Sequence, residues 1–209
     1  MKKDNFEKDL PEGYELKLHI DAKDKKTTII YLVLSLVPVI VTFVVALLIV
    51  IFVNGWNTSE RNGPDYVLFI TLGVTCVIVF LYMILHEIVH GITYKSLTGA
   101  KLTFGLRWNV AFCGVPEIYV YRKAVKLAVL MPFIIFNVIF AGLTVGMYFI
   151  NDIAFLAASL ILGLHIGGCV GDLHVAYLLD HQFKDNKTLI RDTGPEQFFY
   201  TYTGIENNK

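Results

Sequence analysis

Four long runs of apolar residues dominate this chain of 209 residues. They cover residues 28–53, 66–85, 127–150 and 153–179, and the first two contain no charged side chain. Each run is near or above the roughly 20 residues that a helix needs to cross the hydrocarbon layer of a bilayer. We therefore predict an all-α membrane protein with four transmembrane helices. The alternative, a water-soluble helical bundle, would have to bury all four runs in one small core.

The composition agrees with a membrane location and argues against nucleic acid as a partner. Hydrophobic residues make up 55% of the chain and charged residues 17%, whereas an ordinary soluble domain has about 25% charged residues. The 18 Lys and Arg balance the 18 Asp and Glu, so no basic field exists to hold a phosphate backbone. Cys76, Cys113 and Cys169 are too far apart for a Cys-x-x-Cys site, and we interpret them as buried apolar residues.

The distribution of Lys and Arg predicts the orientation in the cell membrane. Seven precede residue 27, six lie in segment 92–126 and four follow residue 179, whereas connection 54–65 has one and the turn after the third run has none. Positive residues are retained on the cytoplasmic side. We therefore expect both termini and the middle connection in the cytoplasm. We also expect the first run to remain as a helix, because it is too long for the apolar region of a cleaved signal peptide.

Short strands are predicted outside the spans. Residues 14–21 alternate apolar and polar side chains, a pattern typical of a strand. Residues 101–113 and 117–121 are also strand-like, and the turn signal Gly114-Val115-Pro116 separates them. This predicts a short cytoplasmic β-hairpin between helices 2 and 3. We expect the polar tail from Lys184 onward to be partly disordered.

The second apolar run ends in His86-Glu87-Ile88-Val89-His90, the His-Glu-x-x-His arrangement of zinc peptidases. Residues four apart lie on one face of a helix, so the two imidazoles can converge on one ion. Glu87 stands about 100° around the axis, from where its carboxylate can reach a water held by the metal. We predict His86 and His90 as ligands of Zn2+ and Glu87 as the catalytic base. The alternative is that these residues only cap a membrane helix in the headgroup region.

Asp172 in the fourth run is the candidate third ligand, because a catalytic zinc site needs three protein ligands and an open position. It lies about eight residues from the cytoplasmic end of its run, a depth of roughly 12 Å at 1.5 Å per residue. The histidine pair lies roughly 7 to 13 Å below the same boundary, so the depths match. A dication with Asp172 and Glu87 ionised also has a formal charge of zero, which lowers the cost of the cluster in a low dielectric.

Three other residues compete with Asp172 as the third ligand. His174 is two positions further on and points to nearly the opposite face of the helix, whereas His165 lies on the same face two turns away and roughly 10 Å deeper. A histidine such as His165 is more often a satisfied interior residue, although it could line a water path. Glu117 lies in the predicted hairpin and most simply faces solvent.

Small and polar residues inside the spans each allow two interpretations. Gly163, Gly167 and Gly171 recur at intervals of four, which suits a helix-packing groove and equally the close approach of two helices that share a metal. Pro132 removes a backbone donor, kinks its helix and leaves carbonyls free to bond elsewhere. Asn137 in the same run hydrogen-bonds either to the site or to a neighbouring helix.

Several motifs together resemble a domain-of-unknown-function family described as "putative zincin membrane peptidases", and more distantly the site-2 proteases. The residues that carry the resemblance lie between 66 and 179 and are His86-Glu87-x-x-His90-Gly91, Phe104-Gly105, Met131-Pro132 and Gly171-Asp172-Leu173. The resemblance implies that His86, His90 and Asp172 match the family's metal ligands and that Glu87 matches its catalytic glutamate. In site-2 proteases a Gly usually follows the later Asp and an Asn comes three after the Pro. Here a Gly precedes Asp172, and Asn137 comes five after Pro132.

The function predicted from these features is an intramembrane zinc metalloprotease that hydrolyses peptide bonds of membrane-associated substrates near the cytoplasmic interface. Its partners would be a membrane protein or peptide substrate and the lipid bilayer. The chain would comprise a cytoplasmic N-terminal segment (1–27), a four-helix metalloprotease-like domain (28–180) and a cytoplasmic C-terminal tail (181–209). One alternative is a non-catalytic membrane scaffold with a structural zinc site, which needs a fourth ligand such as His174 or Glu117. A metal carrier is disfavoured, because the first span has almost no polar residues to form a path.

Overall fold

A computed structural model describes residues 5–55, 63–106 and 111–204. These residues are mostly helical, with short antiparallel strands at the ends of the chain and between the second and third helices. The helices are α1 (Lys25–Phe52), α2 (Tyr66–Thr98), α3 (Arg122–Tyr148), α4 (Asp152–Gly168) and α5 (Val170–His181). The strands are β1 (Phe6–Glu7), β2 (Tyr14–Asp21), β3 (Thr103–Leu106), β4 (Ala111–Gly114), β5 (Tyr119–Tyr121), β6 (Leu189–Asp192) and β7 (Glu196–Tyr202).

Three helices, α1, α2 and α3, are long and apolar enough to cross a membrane, and α4 with α5 makes a fourth if this broken pair counts as one span. Only 11% of the most apolar window of α1, and 11% of that of α2, is buried within the protein. Large side chains such as Leu32 and Phe69 are therefore exposed along most of both helices. So much contiguous apolar surface is incompatible with a water-soluble bundle.

The fourth apolar run is not the single helix that we predicted from its length. It is broken at Cys169 into α4 and α5. The break falls in a glycine-rich stretch that contains Gly167, Gly168 and Gly171. Each glycine weakens a helix by about 1 kcal/mol relative to alanine. Because the chain starts a new helix after the break, Asp172 lies in the first turn of α5.

A five-stranded antiparallel sheet corrects the all-α class predicted from the sequence. Its strand order is β1-β5-β6-β7-β2, so it combines strands from the N-terminal segment, the α2–α3 connection and the C-terminal segment. The longest pairing joins β2 to β7, with Tyr14 opposite Tyr202 and Asp21 opposite Glu196. The expectation of disorder after Lys184 is wrong for the stretch that forms β6 and β7. Apolar residues of this stretch, Ile190 and Phe199, are fully buried.

The hairpin between α2 and α3 is built from other strands than those we predicted. β3 and β4 pair antiparallel, with Thr103 opposite Gly114, and their connection, residues 107–110, lies outside the described residues. The turn predicted at Gly114-Val115-Pro116 instead carries the chain from β4 to β5, which pairs with β1 and β6. Val115 is fully buried, and its N–H donates to Asp192 O at 2.8 Å. This bond ties the segment to the end of β6.

The chain divides into two compact units that do not follow chain order. The first comprises residues 1–29, 84–132 and 172–209, and it includes the five-stranded sheet, the end of α2, the start of α3 and nearly all of α5. Its core contains fully buried side chains from each of these elements, among them Tyr94, Val125, Leu179 and Phe199. All the residues discussed below as a metal centre belong to this unit.

The second unit comprises residues 30–83 and 133–171, and Gly163 and Gly167 in it pack helix against helix. A Cβ on Gly163 would lie 2.9 Å from Val39 Cα of α1, and a Cβ on Gly167 would lie 2.5 Å from Ser35 O. Ser35 Oγ also donates to Gly167 O at 2.7 Å. The packing-groove interpretation of these glycines is therefore confirmed, and the partner helix is α1.

Candidate metal centre

The last turns of α2 bring the two motif histidines together on one buried face. His86 and His90 are 8% and 7% exposed, and their Nε2 atoms lie 3.1 Å apart. The four-residue spacing on a helix produces this convergence, because it places the side chains one turn apart on the same face. Two imidazole nitrogens at this separation can bind one ion.

Asp172 completes a three-membered cluster with the histidines. Its Oδ2 atom lies 3.2 Å from His86 Nε2 and 3.4 Å from His90 Nε2. Two ligand atoms about 2.05 Å from a tetrahedral zinc are separated by about 3.3 Å, which follows from the tetrahedral angle. All three separations are close to that value, so these side chains fit a tetrahedral zinc. Two imidazoles and one carboxylate are also a donor set of the kind that catalytic zinc sites use.

The ring of His90 is held in the orientation that a metal ligand requires. Its Nδ1 atom lies 2.9 Å from the backbone carbonyl oxygen of Ala128 in α3. A carbonyl oxygen can only accept, so Nδ1 carries the proton and donates. In a neutral ring Nε2 then presents its lone pair to the cluster. Hydrogen bonding of the second ring nitrogen to a carbonyl is the usual support for a zinc-bound histidine.

Glu87 lies beside the cluster without being tied to it. The carboxylate is half-buried and makes no hydrogen bond or ion pair with any residue that the structure describes. Gly91 follows one turn later on the same face, and there the β3–β4 hairpin packs against the helix. A Cβ at Gly91 would lie 2.6 Å from Phe104 Cζ and 3.2 Å from Cys113 Sγ. Glu87 therefore faces the hairpin while its neighbour His86 faces Asp172.

A buried carboxylate anchors α2 to the sheet one turn beyond the histidines. The hydroxyl of Tyr94 donates to Asp192 Oδ2 at 2.7 Å, and the N–H of Gly194 donates to Oδ1 at 2.8 Å. Asp192 is 3% exposed, and this burial raises the pKa of its carboxyl group to about 6. The pair links the motif helix to the end of β6 and so limits how far the histidines can move.

The thiol of Cys113 lies near the same carboxylates but is kept protonated. Burial raises its pKa to about 12, and the negative charges of Glu87 and Asp192 act in the same direction. The prediction of a buried apolar cysteine is confirmed for Cys113 and for Cys169, whereas Cys76 is exposed on the apolar surface of α2. All three are free thiols.

An ion-pair network connects α5, which carries Asp172, to α3, which carries Ala128. Asp180 accepts from Lys126 Nζ at 2.6 Å and from Arg122 at 3.1 Å, and Arg122 Nε also donates to Leu179 O at 2.7 Å. The network lies two turns from Asp172 along α5. It joins the helix that carries Asp172 to the helix that supplies the carbonyl bonded to His90.

The three other candidates for the third ligand, His174, Glu117 and His165, lie in different parts of the structure. Among the described residues, neither His174 nor Glu117 joins the cluster of His86, His90 and Asp172. Glu117 is exposed in the β4–β5 turn, as predicted, and His174 is half-buried on α5. His165 in the second unit is fully buried, with Tyr82 Oη 2.7 Å from Nδ1 and Phe133 O 3.4 Å from Nε2. It is a satisfied interior histidine, as the sequence suggested.

Asn137 has a partner that we did not predict. Its side-chain amide donates to Phe133 O at 2.7 Å within its own helix, whereas we considered only the site and a neighbouring helix as partners. A helix offers a carbonyl one turn back, and an amide can reach it without any neighbour. Two residues that shape the centre, Ala128 and Asp192, were not predicted, because neither belongs to a motif. The one available signal was the proline four residues after Ala128, which leaves the Ala128 carbonyl without its usual partner in the helix.

One comparison with known proteins identifies a family that includes this segment of the chain. Residues 79–186 match the family described as "Putative zincin peptidase". No curated protein and no solved structure matches the chain. The match spans His86, Glu87, His90 and Asp172 and covers just over half of the chain. The chain therefore belongs to this zincin peptidase family.

Proposed function

We propose that this protein is an intramembrane zinc metallopeptidase that hydrolyses peptide bonds of membrane-associated substrates near the cytoplasmic interface. The observation that carries the proposal is the convergence of His86, His90 and Asp172 within 3.1–3.4 Å of one another. These would be the metal ligands, with Glu87 as the catalytic base. Membership of the family supports peptide hydrolysis, since zincins are peptidases that use this ligand pair and glutamate.

The chemistry divides between the metal and Glu87. His86, His90 and Asp172 would hold a zinc ion, which would supply Lewis acidity toward water and the peptide carbonyl. Glu87 would take the proton from the attacking water and deliver it to the leaving amine. Its lack of a described hydrogen-bonding partner suits this role, because a carboxylate engaged in an ion pair would be a weaker base. The Ala128 carbonyl keeps the His90 ring in place throughout.

We infer a membrane arrangement of four spans, with α4 and α5 together as the fourth. The five-stranded sheet supports this inference, because it joins the N-terminal segment, the α2–α3 connection and the C-terminal segment. Segments that share one sheet lie on one side of a membrane, which requires an even number of crossings. The excess of Lys and Arg in these three segments favours the cytoplasm as that side.

The substrate would bind beside the hairpin. A transmembrane helix resists hydrolysis because its peptide groups are bonded internally, so the scissile segment must unwind near the interface. β3 pairs with β4 and with no other described strand, and its second edge can accept an extended peptide. An open groove of about 380 Å³ lies between β3 and α2, lined by Ile88, Ile92, Leu102 and Phe104 among others. An apolar substrate side chain fits this groove.

The main alternative is a scaffold with a structural zinc site. A structural site is closed by four protein ligands, whereas a catalytic site keeps one position open. The residues that could have closed it, His174 and Glu117, are outside the cluster in the described part of the chain. Three candidate ligands, beside a Glu87 carboxylate without a hydrogen-bonding partner among the described residues, favour the peptidase.

The experiment that tests the proposal compares Glu87→Gln with Glu117→Gln, which makes the same change at an exposed site. Both proteins should retain one zinc per chain, because neither glutamate is a ligand. Only the Glu87 variant should stop cleavage of membrane proteins, measured as accumulated full-length substrates in the membrane proteome of cells that express each form. Equal proteomes for wild type and Glu87→Gln, with zinc retained, would refute a peptidase and favour the scaffold.

A further inference from the structure

A proline inside α3 leaves one backbone carbonyl without its helical partner. In an α-helix the N–H of residue i donates to the carbonyl of residue i−4. Pro132 lies inside α3, and its ring nitrogen has no hydrogen to donate. The carbonyl that would have accepted is that of Ala128. Proline rings also clash with this carbonyl and turn it away from the helix axis.

The carbonyl of Ala128 is buried and must find another donor. Ala128 is 0% exposed, and leaving a buried carbonyl without a hydrogen bond destabilises the folded protein. The donor is Nδ1 of His90, at 2.9 Å. The acceptor released by a proline in one helix therefore meets the ring nitrogen of a candidate metal ligand in another.

We propose that Pro132 is a positioning residue of the metal centre, which acts by reserving the Ala128 carbonyl for His90. The proposal rests on the proposed zinc site. The reserved carbonyl keeps the proton of His90 on Nδ1, so that Nε2 faces His86 and Asp172 with its lone pair. Helix α3 lacks one internal hydrogen bond as a result, and the His90 ring has the Ala128 carbonyl as a fixed acceptor.

The proposal predicts opposite effects of Pro132→Ala on the fold and on metal binding. Alanine restores the N–H and removes the ring clash, so α3 should become no less stable. The new N–H competes with His90 for the Ala128 carbonyl and draws it back toward the axis. Loss of such support for a metal ligand typically lowers metal affinity roughly 10- to 100-fold. A proline that merely shapes the helix would not separate the two properties in this way.

The test measures zinc affinity by chelator competition for the purified full chain, with thermal unfolding in the absence of metal as the second measurement. The matched control is Pro38→Ala, which changes the other proline inside a helix, in α1 of the second unit. We expect a 10- to 100-fold loss of affinity for Pro132→Ala without a fall in melting temperature, and no loss for Pro38→Ala. Equal affinities of Pro132→Ala and wild type, or equal losses in both variants, would overturn the proposal.

Two further measurements keep the proposal testable if Pro132→Ala does not fold. The first is a backbone ester at position 132, in which an α-hydroxy acid replaces proline, so that both the ring and the N–H are absent. Its zinc affinity should stay within about 3-fold of wild type, and a larger loss would contradict the proposal. Nitrogen-15 NMR of the zinc-loaded wild type should show the His90 proton on Nδ1 and the metal on Nε2, and the reverse assignment would also overturn it. Failure of the wild type itself to bind zinc would instead refute the proposed function.

Discussion

Ionisation of Asp192 should make the metal-free protein less stable as the pH rises through about 6. The carboxyl is 3% exposed, and burial raises its pKa to about 6 in the folded protein, against about 3.9 in an unfolded chain. Folding therefore favours the protonated form. The favourable contribution is complete below about pH 4 and is lost as the pH rises beyond the folded pKa. Two pKa units at 1.36 kcal/mol each correspond to about 3 kcal/mol.

The assay compares wild type with Asp192→Asn in detergent with a chelator present, because a nearby dication would lower the pKa of the carboxyl. Asparagine keeps an oxygen for the Gly194 N–H, and the Tyr94 hydroxyl can rotate to accept from its amide. Subtracting the two free energies of unfolding removes the groups that titrate in both proteins. The wild type should lose about 2.4 kcal/mol relative to the variant between pH 4 and pH 7.5, because the unfolded carboxyl is already about half ionised at pH 4.

A control with the opposite sign is available on β7. The hydrogen bond from Lys23 holds the pKa of Glu196 below its ordinary value. Its contribution is therefore present above the unfolded pKa and lost as the pH falls, so wild type should gain stability relative to Glu196→Gln as the pH rises. If the free energy of unfolding of wild type, relative to that of Asp192→Asn, stays constant or increases as the pH rises, the reasoning is refuted. Burial would then not penalise the charged carboxylate.

Three other predictions concern packing, ion pairing and metal. Gly163→Leu should lower the melting temperature by overpacking the second unit against α1. Gly142→Leu should be tolerated, because a Cβ there meets nothing within 4 Å, and equal effects of the two substitutions would contradict the packing. Lys126→Ala should lower the free energy of unfolding, measured by chemical denaturation, by no more than about 1 kcal/mol, because the ion pair of Lys126 with Asp180 is partly exposed. A larger decrease would contradict this weak ion pair. Zinc at 1,000 times its Kd should raise the free energy of unfolding by about 4 kcal/mol over chelated protein, and identical melting curves would exclude a bound ion.

The helical part of the site could be predicted from the sequence because helices obey local rules. The four-residue spacing of His86 and His90 specifies their convergence wherever the helix forms. The rise per residue predicted that Asp172 would lie near the histidines, and their separations agree, although the run is broken at Cys169 rather than continuous. Whether these three side chains bind zinc remains a prediction, which their separations of 3.1–3.4 Å support.

The sheet could not be predicted, because its pairings join segments that are far apart in the chain. β2 pairs with β7 across more than 170 residues, with Asp21 opposite Glu196. A two-residue alternation reports a strand but not its partner. The hairpin shows the same limit. Gly114-Val115-Pro116 has turn chemistry, yet its partner is the distant Asp192, whose role in anchoring Tyr94 no local pattern marks.

X-ray absorption spectroscopy at the zinc edge of the purified protein tests the central claim most directly. We predict one zinc per chain, with a first shell of two imidazole nitrogens and one or two oxygens at about 2.0–2.2 Å. His90→Ala should remove one imidazole from that shell, and Asp172→Asn should remove the ion or its carboxylate oxygen. A sulfur neighbour at about 2.3 Å, or a shell unchanged in Asp172→Asn, would contradict the claim that these two histidines and this aspartate hold the metal.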